Sequence, residues 1–451
     1  MTLLDEALAR YHKQIETPPY QDQAWVKAIQ DRMAAQQLMP SGRPVCPVLR
    51  PHLVTRRQYD GMVKAAEALY QAIDRVRQMA LENPALMARI ELLPAEKMLA
   101  SVDPGYPYFA VTSLLDSQLS NGSLRFVSCN AAGPAGVVYT DALTEVFWDS
   151  QPVKELRKRY KLSKMAGMKR LLHALLAAYK VTGKKKFPRI AIVEFRPPFK
   201  NTPSNENLLL AEHLRRAGYP SEVVTPEQLE YRNGVLCRGD FGIEIVYRCV
   251  SAQELLVRFD LNHPLVRAYR DGTVCMVNSF RTELAQKKAL FGLLTDETVT
   301  GSFPAAERKA IREHIPWTRL VVAGKTTHNG DSVDLIEYVQ KNREKLVMKP
   351  NDPSSDLHSY RGWEMDDAGW ERALKSATRQ PYVVQERVEP SRAVFPVSHF
   401  GRIDLRQMEV DVQPHIFLGK VEGCSTNVSD VSSSFSTLGG VAPTFILEGQ
   451  A

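Results

Sequence analysis

Two segments in the C-terminal part of the chain carry residue types suited to holding a phosphorylated ligand. The run Lys345-Leu-Val-Met-Lys349 reads as a strand that ends on a lysine, and Tyr382-Val-Val-Gln-Glu-Arg-Val-Glu389 reads as a second strand further on. An ammonium at a strand end meets phosphate oxygens as a compact cation, while the backbone leaving a neighbouring strand offers polar groups to an adenine edge. A surface lysine closing a strand is the simpler alternative for Lys349, and a solvated strand-end charge for Glu386. Lys287 and Lys288 form a second basic pair, expected within a helix after Thr282. His358, His399 and His415 lack metal-ligand spacing and read as core or surface histidines.

Elements to position these groups are visible upstream. Apolar residues at Met62, Ala66, Leu69, Ile73, Val76 and Ala80 have the spacing of a helix with one buried stripe, predicting a helix over 58–81 in a mostly helical first hundred residues. Tyr108–Val111 and Leu124–Val127, separated by Asn121-Gly122, predict a β-hairpin. A βαβ unit follows. Its strand is Arg189–Phe195, its helix begins at Thr202-Pro203 and ends before Gly218, and Ser221–Val224 completes it. No Gly-x-Gly-x-x-Gly lies at its first turn, so a dinucleotide site has no support there. Strands at Gly242–Tyr247 and Thr273–Val277 extend this unit into a small α/β domain. The serine-rich stretch Ser425–Thr437 is expected to be an active-site loop.

At 451 residues and 44% hydrophobic content the chain can bury a large core in two or three structural units. Six cysteines without a Cys-x-x-Cys pair suggest neither a zinc site nor a disulfide framework. An acidic N-terminus and the absence of a long apolar run predict a cytoplasmic protein with no membrane segment. The net charge of +7 is concentrated between Lys154 and Arg189, which reads as a solvated helix face. Its cations are not interleaved with stacking aromatics, so nucleic acid is not an expected partner.

Lys349 onward, together with Asp411-Val-Gln-Pro-His415 and Gly439-Gly-Val-Ala-Pro443, resembles the circularly permuted ATP-grasp family, related to glutathionylspermidine synthase and eukaryotic glutathione synthetase. The resemblance implies an α+β fold with a helical region over 1–100, a displaced ATP-grasp segment over 101–184, an α/β substrate domain over 185–280 and a nucleotide-binding region over 281–451. It implies ATP and Mg2+ as cofactors and ATP-dependent joining of a carboxylate, on a small molecule or peptide, to an amine. By the same likeness Lys349 and Lys288, or Lys287 in its place, would meet the nucleotide phosphates. Gln385, Glu386 and Val388 would line the adenine, Asn130 and Asp352 would hold the metal, and Arg248 and Asn278 would act on the substrate. For Arg248 a strand-end ion pair is the alternative.

Four departures from the family pattern fall at positions where the chemistry would be done. The phosphate-covering loop reads Asp352-Pro-Ser-Ser-Asp-Leu-His358 where a Gly-Gly pair is expected. Serine tolerates positive φ poorly, and Pro353 removes an amide donor. Leu114 stands in place of an arginine, Ser128 in place of a metal-binding glutamate, and Asn427 in place of a second arginine. The expectation is a ligase fold whose standard catalysis is impaired or lost. The alternatives are a divergent ligase recruiting Asp352, Asp356 or Glu364 for the metal, and a non-enzymatic nucleotide- or peptide-binding protein.

Overall fold

Thr55 caps the longest helix, Arg56–Glu82, by accepting from the Gln58 amide while the Gln58 side chain reaches back to the Thr55 backbone. The helix contains the predicted 58–81 and buries Met62, Ala66, Leu69, Ile73, Val76 and Ala80 along one stripe. The computed structural model describes residues 2–120, 123–196, 205–399, 401–431 and 439–450. The expected turn at Asn121-Gly122 and helix cap at Thr202-Pro203 lie outside these residues, as does 432–437 of the serine-rich stretch.

In chain order the strands are β1 (His52–Thr55), β2 (Thr112–Ser120), β3 (Ser123–Asn130), β4 (Tyr160–Ser163), β5 (Ile190–Val193), β6 (Ser221–Val224), β7 (Glu230–Arg232), β8 (Val235–Arg238), β9 (Phe241–Gly242), β10 (Ile245–Arg248) and β11 (Cys275–Val277). They continue as β12 (Thr318–Leu320), β13 (Lys325–His328), β14 (Asp331–Asp334), β15 (Leu346–Pro350), β16 (Tyr360–Arg361), β17 (Tyr382–Glu386), β18 (Ser391–His399), β19 (Arg402–Phe417), β20 (Lys420–Asp430) and β21 (Gly439–Gln450).

The largest sheet joins both ends of the sequence. Its order is β1-β21-β20-β19-β2-β3, with β18 on β19 and β4 on β21. β1, a four-residue strand among the helices of the first hundred residues, runs parallel to β21. Val410 and Val412 of β19, Leu115 of β2 and Phe126 of β3 belong to the same buried core as the long helix. The intervening residues therefore face the opposite side.

The β2–β3 hairpin starts after the predicted strand Tyr108–Val111. The backbone there is already committed elsewhere: the Ala110 carbonyl accepts from the Tyr70 hydroxyl at 2.8 Å, and the Val111 amide donates to Asn278 at 2.8 Å. The second sheet, β11-β10-β5-β6, is all parallel and is the expected α/β domain. In its predicted strand Gly242–Tyr247, Glu244 turns aside to the Arg189 amide at 2.6 Å, and the ladder splits into β9 and β10. The third sheet, β12-β17-β15-β16, is antiparallel.

Two further expectations change. Lys287 and Lys288 sit at the break between the short helices Glu283–Gln286 and Ala289–Leu294, not within one helix. Ser425–Asp430 is part of β20 rather than a loop. The basic 154–189 segment is partly neutralised, with Lys164 on Glu145 at 2.6 Å, Arg170 on Glu422 at 3.2 Å and Lys185 on Glu244 at 2.5 Å.

Candidate active site

Strand alternation puts the site's polar groups on facing sheets. In the small sheet Gln385 pairs with Val347 on one side and Thr318 on the other, and Lys349 pairs with Val383, so Lys349, Gln385 and Thr318 share one face. Leu346, Met348 and Val384 take the other face and pack with Trp370 and Leu374. In the large sheet Asp116 pairs with Ser128, and Asp411 with Asn427, on the face away from the core.

The two faces are stitched together by the chain's own side chains. Lys349 donates to Gln385 Oε1 at 2.8 Å, and Gln385 Nε2 donates to Thr318 Oγ1 at 3.0 Å and across to the Val127 carbonyl of β3 at 3.3 Å. Asp116 accepts from Ser128 and from Gln413 Nε2, the latter at 2.6 Å, while Gln118 donates to Asp411. Burial, reinforced by the nearby Lys288 cation, pushes the Lys349 ammonium down to about 8 against the pull of Asp116. Burial also lowers Lys288, with Asp352 and Asp116 opposing.

Lys287 is spent inside the protein. Its ammonium lies between Glu96, at 2.8 Å, and Asp352, with all three groups buried. Burial disfavours the charge, yet the two carboxylates outweigh it and hold the amine above its ordinary range. Asp352 is kept ionised mainly by Lys287 despite its burial.

The loop after β15 closes on the same carboxylate. The Ser354 amide donates to Asp352 Oδ1 at 2.7 Å, and the Ser354 hydroxyl lies 3.3 Å from Ser251 Oγ. No residue from 352 to 358 has positive φ, so the serines avoid the backbone conformation a Gly-Gly pair would permit.

The remaining candidates separate. Glu386 accepts from the Trp317 amide at 3.2 Å and sits 3.0 Å from His328 Nε2, and Val388 follows β17 half-buried. Arg248 and Asn278, expected at the substrate, are engaged within the protein. Arg248 directs Nε to the Asn278 carbonyl (2.9 Å), Nη1 to the Val250 carbonyl (2.5 Å) and Glu283 (2.7 Å), and Nη2 to the Ser279 carbonyl (3.3 Å) and Thr282 hydroxyl (3.2 Å). Asn278 accepts from the Val111 and Thr112 amides and donates to the carbonyls of Thr112 and Ala131, both at 2.6 Å. Both side chains are fully used by the protein.

A magnesium ion on Asn130 and Asp352 does not fit this arrangement. Asn130 Oδ1 is a buried acceptor without a partner among the described residues, but the Asp352 carboxylate is already taken by an ammonium and a serine. Among the described residues no group of three His, Cys, Asp or Glu side chains could enclose a metal.

The family model for circularly permuted ATP-grasp type 2 matches residues 99–426. The chain belongs to the circularly permuted ATP-grasp type 2 family. The permutation is visible in the ATP-grasp fold itself, where the β2–β3 hairpin, early in sequence, completes the sheet built on β19. Among solved structures, the apo form of a glutathione synthetase-like effector from Globodera pallida is similar at 12% identity and a TM-score of 0.64, over 96% of this chain and 98% of that one. A gamma-glutamylcysteine synthetase-like protein from Methylobacillus flagellatus is 10% identical, over 86% of each chain, at a looser TM-score of 0.43. No curated protein matches. Among the described residues no helix is long and apolar enough to cross a membrane.

Two features of this ATP-grasp site carry no sequence signal of their role: Glu96, and the Gln118 and Gln413 amides that cover Asp411 and Asp116. Glu96 gives only a local signal, at the third position of the helix Pro94–Ser101, where it caps the Leu93 amide at 2.8 Å. The Asp411 carboxyl is raised to about 6, first by burial and then by the Asp116 charge. Its folded value exceeds the unfolded value near 3.9, so its ionisation opposes folding at neutral pH and ceases to do so as the group protonates. Asp411→Asn is therefore expected to raise the melting temperature at pH 7, the gain fading as pH falls from 7 to 4. A gain independent of pH in thermal melts across that range would contradict the assignment.

Proposed function

We propose that the protein retains the architecture of an ATP-dependent carboxylate–amine ligase while its standard catalysis is impaired or lost. The carrying observation is the internal engagement of the site: Lys287 neutralises Asp352 and Glu96, and the Lys349 ammonium is held by the Gln385 amide. Phosphoryl transfer relies on positively charged groups and a metal poised for phosphate oxygens. In this reading Lys288 and Lys349 remain the cations able to meet phosphates, with Gln385, Glu386 and Val388 at the adenine edge. A carboxylate-bearing small molecule or peptide is the ligand class the fold would take beside the nucleotide, and the cytoplasm its setting. No step is drawn through magnesium.

The divergent-ligase alternative needs substitute carboxylates. Glu364 is 3.2 Å from Arg361, and Asp356 is exposed on the loop. Neither supports a preformed metal site.

Thermal melts with ATP and magnesium at millimolar concentration test the proposal, because a ligand that binds only the folded state raises its melting temperature. No magnesium-dependent shift is expected for the natural protein. Ser128→Glu combined with Ser354→Gly and Ser355→Gly is expected to introduce one. A magnesium-dependent shift of several degrees in the unsubstituted chain, or ATP-dependent joining of a carboxylate to an amine by it, would overturn the proposal.

A further inference from the structure

A hollow of about 640 Å³ lies at the edge of the small sheet, bounded by β3, β12 and the helix Ala305–His314. Four of its lining residues are arginines: Arg125, Arg308, Arg312 and Arg319. It is distinct from the Lys349 cleft. Thr318 and Gln385 face that cleft, so their neighbours Trp317, Arg319 and Glu386, which line the hollow, project from the other face of the same strands. Neither Lys349 nor Lys288 lines it.

The arginines are placed at a cost. Arg308 and Arg312 are one helical turn apart on one face, where like charges repel. Arg319 is buried and spends its N–H groups on neutral protein acceptors, including Thr326 Oγ1 at 2.6 Å, Thr295 Oγ1 at 2.8 Å and the Thr327 carbonyl at 3.1 Å, so it gives the hollow a charge while Arg125, Arg308 and Arg312 supply the open forks. Among the described residues none of the four forms an ion pair; Arg125 and Arg308 donate to the carbonyls of Glu313 (3.0 Å) and Gly301 (3.3 Å). Two carboxylates, Glu297 and Glu386, also line the hollow, and Glu386 is already engaged by His328 and the Trp317 amide. The volume is that of a small-molecule site. Arginine forks bind phosphate oxygens bidentately, and convergence of several rewards a polyvalent anion over a single carboxylate.

We propose that this hollow binds a small molecule carrying a phosphate or diphosphate group, independently of the nucleotide cleft. The experiment is calorimetric titration with inorganic pyrophosphate, at low ionic strength and without divalent metal, beside a parallel titration with citrate. The unsubstituted protein is expected to bind pyrophosphate more tightly than citrate. Because Arg308 and Arg312 are exposed, Arg308→Ala with Arg312→Ala is expected to leave the melting curve unchanged and to weaken pyrophosphate about tenfold or more. Absence of binding at millimolar pyrophosphate, unchanged affinity in the double variant, or equal preference for citrate would each overturn the proposal.

Discussion

Lys287→Ala is expected to destabilise the protein by about 3–5 kcal/mol, read from the midpoint of chemical denaturation, because it strands two buried carboxylates without their cation. The deficit should shrink as pH falls from 7 towards 5, since unpaired buried carboxyls take up protons that the unfolded chain does not hold. Adding Glu96→Gln and Asp352→Asn to the same chain should recover much of the loss, as coupled neighbours are not additive. In the unsubstituted protein the signs run the other way at each end of the scale. The raised Lys287 contributes below its unfolded value and is lost as pH climbs through its folded one; the depressed Asp352 contributes above its unfolded value and is lost in acid. An alanine variant as stable as its parent would show that the three charges do not act as a unit.

The second large effect belongs to Arg248. Arg248→Ala removes every partner named above and leaves the Glu283 carboxylate buried, with Oε2 already unpartnered among the described residues. A loss of about 3–5 kcal/mol is expected. Arg248→Lys should recover little of it, because an ammonium cannot reproduce the planar fork that reaches acceptors on three sides. A variant with an unchanged denaturation midpoint but weakened binding of a carboxylate ligand would instead restore Arg248 to the substrate role implied by the family likeness.

What could be read from the sequence followed the range of the interactions. The long helix, the βαβ unit and the strands bearing Lys349 and Gln385 were legible because periodicity and punctuation are local. The hydrogen bond from Lys349 to Gln385 spans two such strands and agrees with their pairing. Lys287 was ambiguous because its partner Glu96 lies 191 positions away, and nothing local marks a capping glutamate as one half of a buried ion pair. Arg248 looked available for a substrate for the same reason: its acceptors are mostly backbone carbonyls, which carry no side-chain signature. The loop serines announced a departure from glycine, but only the folded backbone showed the turn they make on Asp352.

The pairing of β1 with β21, and of β2 with β19, makes synthesis itself a constraint. A nascent chain holds β1 and the β2–β3 hairpin without their strand partners until β19 and β21 have left the ribosome tunnel, so those strand edges stay open to non-native pairing for as long as that takes.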